Sequence, residues 1–352
     1  MSWLEITTLI LNLLFCVPTL ASMTTLDMWW VRGFDFPRVQ ISVLILLNII
    51  LALFVYDFTE TWHFIVIGAL IFSLMYQFRL IFPYTVLANK QVIEYDGPEN
   101  DQNISILVCN VLTPNRGYKA LKELVKDEDP DLFLTLETDS EWEKALEPLE
   151  DTYIHNVKVP LDNLYGMHLY SKLPLKNMEV KYLVKDDIPS IHGTLELHGG
   201  KKVAIHCLHP RPPSPTESDT STNRDAELLL VAREIDPEAG PRLVFGDFND
   251  VAWSRTTRLF QKISGLLDPR QGRGFYNTYH ADYRLLRWPL DHVFHTDDFS
   301  LVDLRRARNI GSDHFPMYIK LNYTPEAQWK QDAPEADDEE KRWADEKIED
   351  AE

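Results

Sequence analysis

Two short polar runs carry the chemistry that this chain can be expected to do: Gly246-Asp247-Phe248-Asn249, and Ser312-Asp313-His314 further along. The first follows the apolar stretch Arg242–Phe245, which reads as a strand. Side chains alternate faces along a strand, so Asp247 and Asn249 are expected to point the same way. A carboxylate beside a neutral amide can orient or deprotonate a water, and donate to a phosphoryl oxygen without adding negative charge. The second run sets a carboxylate next to a titratable imidazole. These parts suit phosphoester hydrolysis.

Four further polar residues end or open apolar runs. Asn110 closes Ile104–Asn110, Glu137 closes Leu132–Glu137, His209 closes Val203–His209, and Asp291 opens Asp291-His292-Val293-Phe294. A single Glu after a strand is ordinarily a solvated terminus, and a single His is ordinarily a satisfied core residue. A series of such residues in chain order argues instead for one shared rim. The remaining strands are expected at Gly166–Ser171, Ile191–Leu197, Arg242–Asp247, Leu290–Phe294 and Pro316–Leu321. Most are Val/Ile/Leu-rich with uneven alternation, which suits sheets covered on both faces. Helices are expected at Tyr118–Lys126, Ser140–Glu147, Asn223–Ile235 and Arg255–Ile263. Pro210–Thr222, rich in Pro, Ser and Thr, reads as a flexible border to the site.

The first part of the chain differs in kind. Trp3–Ala21, Val39–Tyr56 and Trp62–Phe82 are apolar and each approaches the ~20 residues that a helix needs to cross a bilayer. Trp29, Trp30, Tyr56, Trp62 and Tyr84 flank them as an interfacial belt would. Glu5 and the lack of a basic leading segment favour a retained helix over a signal peptide. The expected organisation is three transmembrane helices (1–82), a juxtamembrane linker (83–102), one α/β domain (103–323) and an acidic, disordered or frayed tail (324–352). Arg32, Arg38, Arg79 and Lys90 lie on the side of the large domain, whereas the second connection offers Asp57 and Glu60. The bias of basic residues toward the cytoplasm therefore places that domain inside, in a multi-pass membrane protein.

The net charge of −19 over 352 residues weighs against sequence-independent nucleic-acid binding, which depends on Lys and Arg neutralising phosphates. Three cysteines, none paired in a Cys-x-x-Cys spacing, give neither a zinc motif nor a disulfide framework.

Taken together, Asn103–Leu321 resembles the endonuclease/exonuclease/phosphatase superfamily, also called DNase I-like, with Gly246–Asn249 and Ser312–His314 as its most specific motifs. The resemblance implies a four-layer, two-sheet α/β sandwich with a Mg²⁺ site at one edge, Mn²⁺ being the alternative ion. It implies Glu137 as the main metal ligand, with Asn110 and Asp313 supporting it. Asp247 would activate water, Asn249 would donate to developing charge, and His314 would act beside the phosphate, oriented by Asp291. His209 would be a further donor to phosphate. Whether Asp247 or His314 takes the proton stays open. Leu112 departs from the acidic or amide residue of apurinic-site endonucleases, which counts against DNA repair. The membrane segment, Gly246–Trp253 and His209–Pro213 are most similar to a bacterial membrane-bound branch that includes vancomycin/teicoplanin-resistance-associated proteins. Some members of that branch carry the domain outside the cell, against the orientation read from charge.

Among the loop arginines Arg211, Arg224, Arg255, Arg270, Arg273, Arg284 and Arg287, the first two are the expected substrate contacts, because guanidinium binds phosphate bidentately. Gly274–Tyr279 is a candidate aromatic wall. The leading expectation is a membrane-anchored Mg²⁺-dependent phosphoesterase acting on a phosphodiester, pyrophosphate or phosphomonoester, the substrate being a phospholipid-like or polyprenyl-pyrophosphate head group or a small phosphoester near the bilayer. Its partners are then the bilayer and that substrate. The alternatives are a metal-dependent nuclease and a non-catalytic membrane interaction protein on the same scaffold.

Overall fold

A computed structural model describes residues 1–351. Eleven strands form two sheets that face each other. The first has the order β10-β11-β1-β2-β4-β3, and the second β5-β6-β7-β8-β9. The strands are β1 (Asn103–Asn110), β2 (Leu132–Leu136), β3 (His155–Val159), β4 (Met167–Ser171), β5 (Leu175–Lys181), β6 (Ser190–Glu196), β7 (Lys202–Leu208), β8 (Arg242–Asp247), β9 (Asp291–His295), β10 (Phe299–Arg306) and β11 (Met317–Tyr323). This is the two-sheet α/β sandwich of the DNase I-like fold.

Alternation decides the layers. Ile104, Ile106 and Val108 of β1 meet Leu243 and Phe245 of β8 in the core between the sheets. Leu107 and Cys109 face outward under helices α5 (Tyr118–Glu128) and α6 (Ser140–Leu146), whose Leu121, Leu124 and Trp142 cover them. On the far side, α7 (Thr222–Glu234) and α8 (Arg255–Ser264) cover Leu208, Val244 and Phe294. Each sheet contains one parallel pair, β1 with β2 and β7 with β8. Parallel strands deliver their C-terminal ends to the same edge. That edge carries Asn110, Glu137, His209 and Asp247.

Three strands escape the sequence reading: β3, β5 and β10. All three lie at sheet edges, where one side lacks a partner strand and charged residues interrupt the apolar pattern. The segment 83–102, expected as a linker, lies along β10 instead. Tyr95 N–H donates to the Leu301 carbonyl, and Val92 is fully buried in the inter-sheet core.

Helices α1 (Trp3–Met23), α3 (Arg38–Val55) and α4 (Thr61–Ile81) are long and apolar enough to cross a membrane; the short α2 (Trp29–Arg32) lies in the first connection. They pack through Ile41, Ile45 and Leu70 and present Leu13, Leu47, Phe54 and Phe72 outward. Ser42 and Asn48 donate to carbonyls one turn back, of Arg38 and Leu44, and Asn12 donates across the bundle to Tyr56. The bundle is seated on the sandwich. Leu80, Ile81 and Tyr84 pack against Val251, Ala252 and Trp253, Tyr84 Oη donates to the Ala252 carbonyl, and Trp253 Nε1 donates to the Asp35 carbonyl at 2.7 Å.

The expected disordered tail is a correction. Asp337 caps α9 (Asp338–Glu349) in a capping box with Glu340, and Ala344 and Ile348 bury against Leu229 and Leu259. Its acidity hid an amphipathic stripe, and Lys347, paired with Asp27, ties it to the first membrane connection. The expected flexible loop Pro210–Thr222 is likewise held. Ser221 N–H donates to the Asp27 carbonyl, and Trp29 N–H to the Asp219 carbonyl.

Candidate active site

Strand parity brings most of the polar residues to one place. Asn110 continues the inward series Ile104, Ile106, Val108, and Asp247 continues Leu243 and Phe245. Asp291 stands opposite Asp247 in the antiparallel register of β8 and β9. Each side chain therefore emerges where the inter-sheet core opens. Glu137 has the opposite parity and should face α6. It turns inward because its φ is +61°, a left-handed conformation that redirects the chain after β2. Leu112 (φ +60°) and Asn249 (φ +50°) do the same at the neighbouring strand ends. Such backbone is costly for non-glycine residues, and here it clusters around one cleft.

Asp247 is the hub. Its Oδ2 accepts from Asn110 Nδ2 at 3.1 Å and lies 3.5 Å from His314 Nε2 and 4.0 Å from His209 Nε2; its Oδ1 accepts from the Asn249 N–H at 2.8 Å. His314 Nδ1 meets Asp291 Oδ2 at 2.8 Å, and the Ser312 hydroxyl accepts from its backbone N–H. Asp291 is itself positioned: Thr278 Oγ1 accepts from its N–H, and the fully buried Arg270 donates to its carbonyl. Asn110 Nδ2 also donates to Glu137 Oε1 at 2.8 Å, and Thr113 braces the Glu137 backbone through its hydroxyl.

The electrostatics follow from burial and crowding. Burial pushes the His314 imidazole down, but Asp291 and then Asp247 outweigh it and raise it to about 10. Burial raises Glu137 to about 7 against the hydrogen bond from Asn110, with Asp313 and Asp247 adding repulsion. Burial lowers His209 to about 4, only partly opposed by Asp247. Asp291 is raised by burial, against the pull of His314. Asp291 Oδ1 and His209 Nδ1 are buried without a partner. The donor atoms of Asp247, Asp291 and His314 all lie within 4.8 Å of one another, close enough to share one cation.

Several expected residues sit differently from the sequence reading. Asn249 does not continue the strand beside Asp247. Its left-handed backbone sends Nδ2 to the Pro210 carbonyl, leaving one amide hydrogen free of protein acceptors. Asn110 offers its amide hydrogens, rather than its oxygen, to the two carboxylates, while its Oδ1 accepts from Leu112 N–H. Asp313 and Glu137 lie outside the tightest donor trio. Arg224 is no substrate contact. It is 2 % exposed and bonded to Asp225, Asp250 and the Asn249 carbonyl, so it braces the loop carrying Asn249. Arg211 is half-buried, pairs with Asp187 at 2.8 Å and stacks over Tyr165, whose ring centre is 5.3 Å from that of His209. Tyr165 and Thr113 went unnoticed in the sequence because neither interrupts an apolar pattern. Tyr279, within the expected aromatic wall, packs 4.9 Å from the His314 ring.

Residues 107–314 match the model of the endonuclease/exonuclease/phosphatase family. Among solved structures, the human Nocturnin catalytic domain with bound sulfate aligns at 17 % identity over 69 % of this chain and 99 % of its own, with a TM-score of 0.53. TDP2 of D. rerio, complexed with a single-strand DNA product, aligns at 15 % over 62 % and 99 %, with a TM-score of 0.52. An endonuclease/exonuclease/phosphatase protein of Beutenbergia cavernae aligns at 18 % over 63 % and 72 %, with a TM-score of 0.50. At these identities the structures show the shared fold. No protein of curated function matches the chain in sequence.

Proposed function

The chain belongs to the endonuclease/exonuclease/phosphatase family, and from that premise we propose that it is a membrane-anchored, Mg²⁺-dependent phosphoesterase that cleaves a lipid head group. One observation carries the lipid part of this reading. The loop that begins at Tyr279, against His314, runs out to Leu285, whose carbonyl accepts from Gln40 in the first turn of α3. Leu285 is 84 % exposed, and Tyr283 and Leu286 beside it are also exposed. Apolar side chains next to the end of a membrane-length helix belong in the bilayer interface. The catalytic imidazole would then open at the surface from which a lipid substrate comes.

The donor set fits a hard divalent cation, since buried carboxylates outnumber positive groups and Asp291 Oδ1 lacks any partner. Glu137 would hold the ion, with Asp313 and a reoriented Asn110 in support. When bound, such an ion polarises a phosphoryl oxygen and eases departure of the leaving oxygen. Asp247 orients and deprotonates the attacking water. His314, with both nitrogens facing carboxylates, acts as an imidazolium that donates to a phosphate oxygen, while Asp291 fixes its ring. Asn249 and His209 would contact the equatorial oxygens, and Arg211 on Tyr165 would stand at the head-group rim.

The test is a substrate panel on the full chain in detergent: a phospholipid, a polyprenyl pyrophosphate, bis-p-nitrophenyl phosphate and plasmid DNA, with and without EDTA. Expected is EDTA-sensitive turnover with lipid substrates ahead. A preference for DNA would support the second reading, a nuclease, which the single-strand DNA product in D. rerio TDP2 recommends and the charge of −19 opposes. No turnover of any substrate would leave the non-catalytic reading. The positive-inside bias favours a cytoplasmic domain, and the first connection and the end of α4 both meet that domain.

A further inference from the structure

A second cavity, of about 700 Å³, opens between α8, α9 and the ends of the membrane-length helices. Ser22 and Met23 at the end of α1, Arg38 at the start of α3 and Tyr76 in α4 form its membrane side. Its floor is one face of α8, where Arg255 and Arg258 stand one turn apart. Among the described residues, neither has a carboxylate within ion-pair distance; Arg255 stacks on Trp343 at 3.8 Å, and Arg258 is exposed with its Nε on the Ser254 carbonyl. Arg38 is 2 % exposed, and its Nε is buried without a partner, although its other nitrogens reach Asp35, Gln77 and Ser22. A buried guanidinium nitrogen left unpaired is unfavourable unless something else accepts from it.

The acidic wall does not supply that acceptor. Asp337 caps the backbone of α9, and Glu340 completes the capping box while pairing with Lys262. Glu339 and Glu346 also line the cavity without an ion pair among the described residues, so its acidic side is only partly engaged; the basic side is larger, with Lys262 and Arg342 beside the three arginines, and Arg255 and Arg258 keep unused donors.

We propose that this cavity binds the head-group phosphate of an anionic phospholipid. Three observations converge on it: the unpartnered Nε of Arg38 together with Arg255 and Arg258, which are in no ion pair among the described residues, a cavity large enough for a glycerophosphate group, and a position where membrane-length helices end. Guanidinium groups suit phosphate because they donate in a fixed fork, and basic residues at the bilayer surface favour anionic lipids. Trp343 would sit at the head-group level, as interfacial tryptophans do. The site is separate from the catalytic cleft. A lipid held there would brace the bundle, α8 and α9 together, without being a substrate.

The experiment is native mass spectrometry of the full chain in detergent, in an Asp247→Asn background so that turnover cannot consume the probe. Phosphatidylglycerol, phosphatidylcholine and soluble glycerol phosphate are the probes. Expected is one tightly retained phosphatidylglycerol, with phosphatidylcholine and glycerol phosphate not retained. Arg255→Gln with Arg258→Gln should weaken retention about thirty-fold, from the loss of two basic groups near an anionic head group. Arg258→Gln alone, at an exposed position, should weaken it about fivefold and keeps the test valid if the double variant folds poorly. Equal retention of phosphatidylcholine, undiminished retention by both variants, or equally tight binding of glycerol phosphate would overturn the proposal.

Discussion

Two clusters of buried charge lie within a few residues of each other, and they are built on opposite rules. At the seam between bundle and sandwich, Arg32, Arg38 and Arg224 are matched by Asp35, Asp225 and Asp250. At the strand-end cleft, Glu137, Asp247 and Asp291 face one raised imidazole, His314, and a histidine held neutral by burial, His209. The segment Asp247–Trp253 belongs to both, since Asp247 centres the cleft and Trp253 bonds Asp35. Balanced buried charge fixes geometry, because each desolvated group has its counterion. Unbalanced buried charge is tolerated where a cation and an anionic substrate complete it. The difference separates the part of the molecule that holds the bundle in place from the part proposed to react.

The largest effect is expected from Asp247→Asn, which keeps the shape of the cleft and removes one negative charge. Turnover of the best substrate in the panel should fall by roughly 10²–10⁴-fold while thermal unfolding stays level or improves. Wild-type rates would sink the assignment. Arg224→Gln should do the reverse. Leaving Asp225 and Asp250 without their partner is expected to cost about 3–5 kcal/mol of stability, read as a lower midpoint in denaturant titration of the detergent-solubilised chain. An unchanged midpoint would erase the distinction between seam and cleft.

A smaller effect sharpens the link to the bilayer. Serine at Tyr283, Leu285 and Leu286 should lower turnover of a bilayer-resident substrate about tenfold and leave bis-p-nitrophenyl phosphate untouched, since only the membrane contact is lost. Equal losses on both substrates would mean that the loop supports the cleft and not lipid access.

The smallest concerns a third kind of buried charge. Glu227 on α7 has no partner at Oε1, and burial raises it to about 8. Its neutral form is favoured in the fold. Between the unfolded value of 4.5 and about 8, the unfolded chain therefore holds fewer protons at this site, and stability falls as pH rises. Glu227→Gln should remove a slope of at most about 1.4 kcal/mol per pH unit in that window, seen as flatter melting temperature against pH. A slope unchanged by the substitution would place the ionisation elsewhere.

Apolar patterning by itself determined three membrane-length helices, the central strands and four of the covering helices, because burial on one face or both leaves a period in the sequence. The polar ends of those strands also marked the cleft: Asn110, His209, Asp247 and Asp291 follow from alternation alone. Folding decided the rest. Glu137 reaches the cleft only because its backbone is left-handed, and Asn249 leaves the line of Asp247 for the same reason. Arg224 and Arg270, read as rim arginines, are buried: each pairs with a neighbouring aspartate, Asp225 and Asp268, and Arg224 also reaches Asp250 across the fold, an enclosure that local order does not reveal. The edge strands and α9 lack a strong period, since each gains its partner from the completed sandwich. Periodicity records what a segment hides. Which groups meet across segments is fixed only when strand ends, a positive-φ turn and the bundle close on one another.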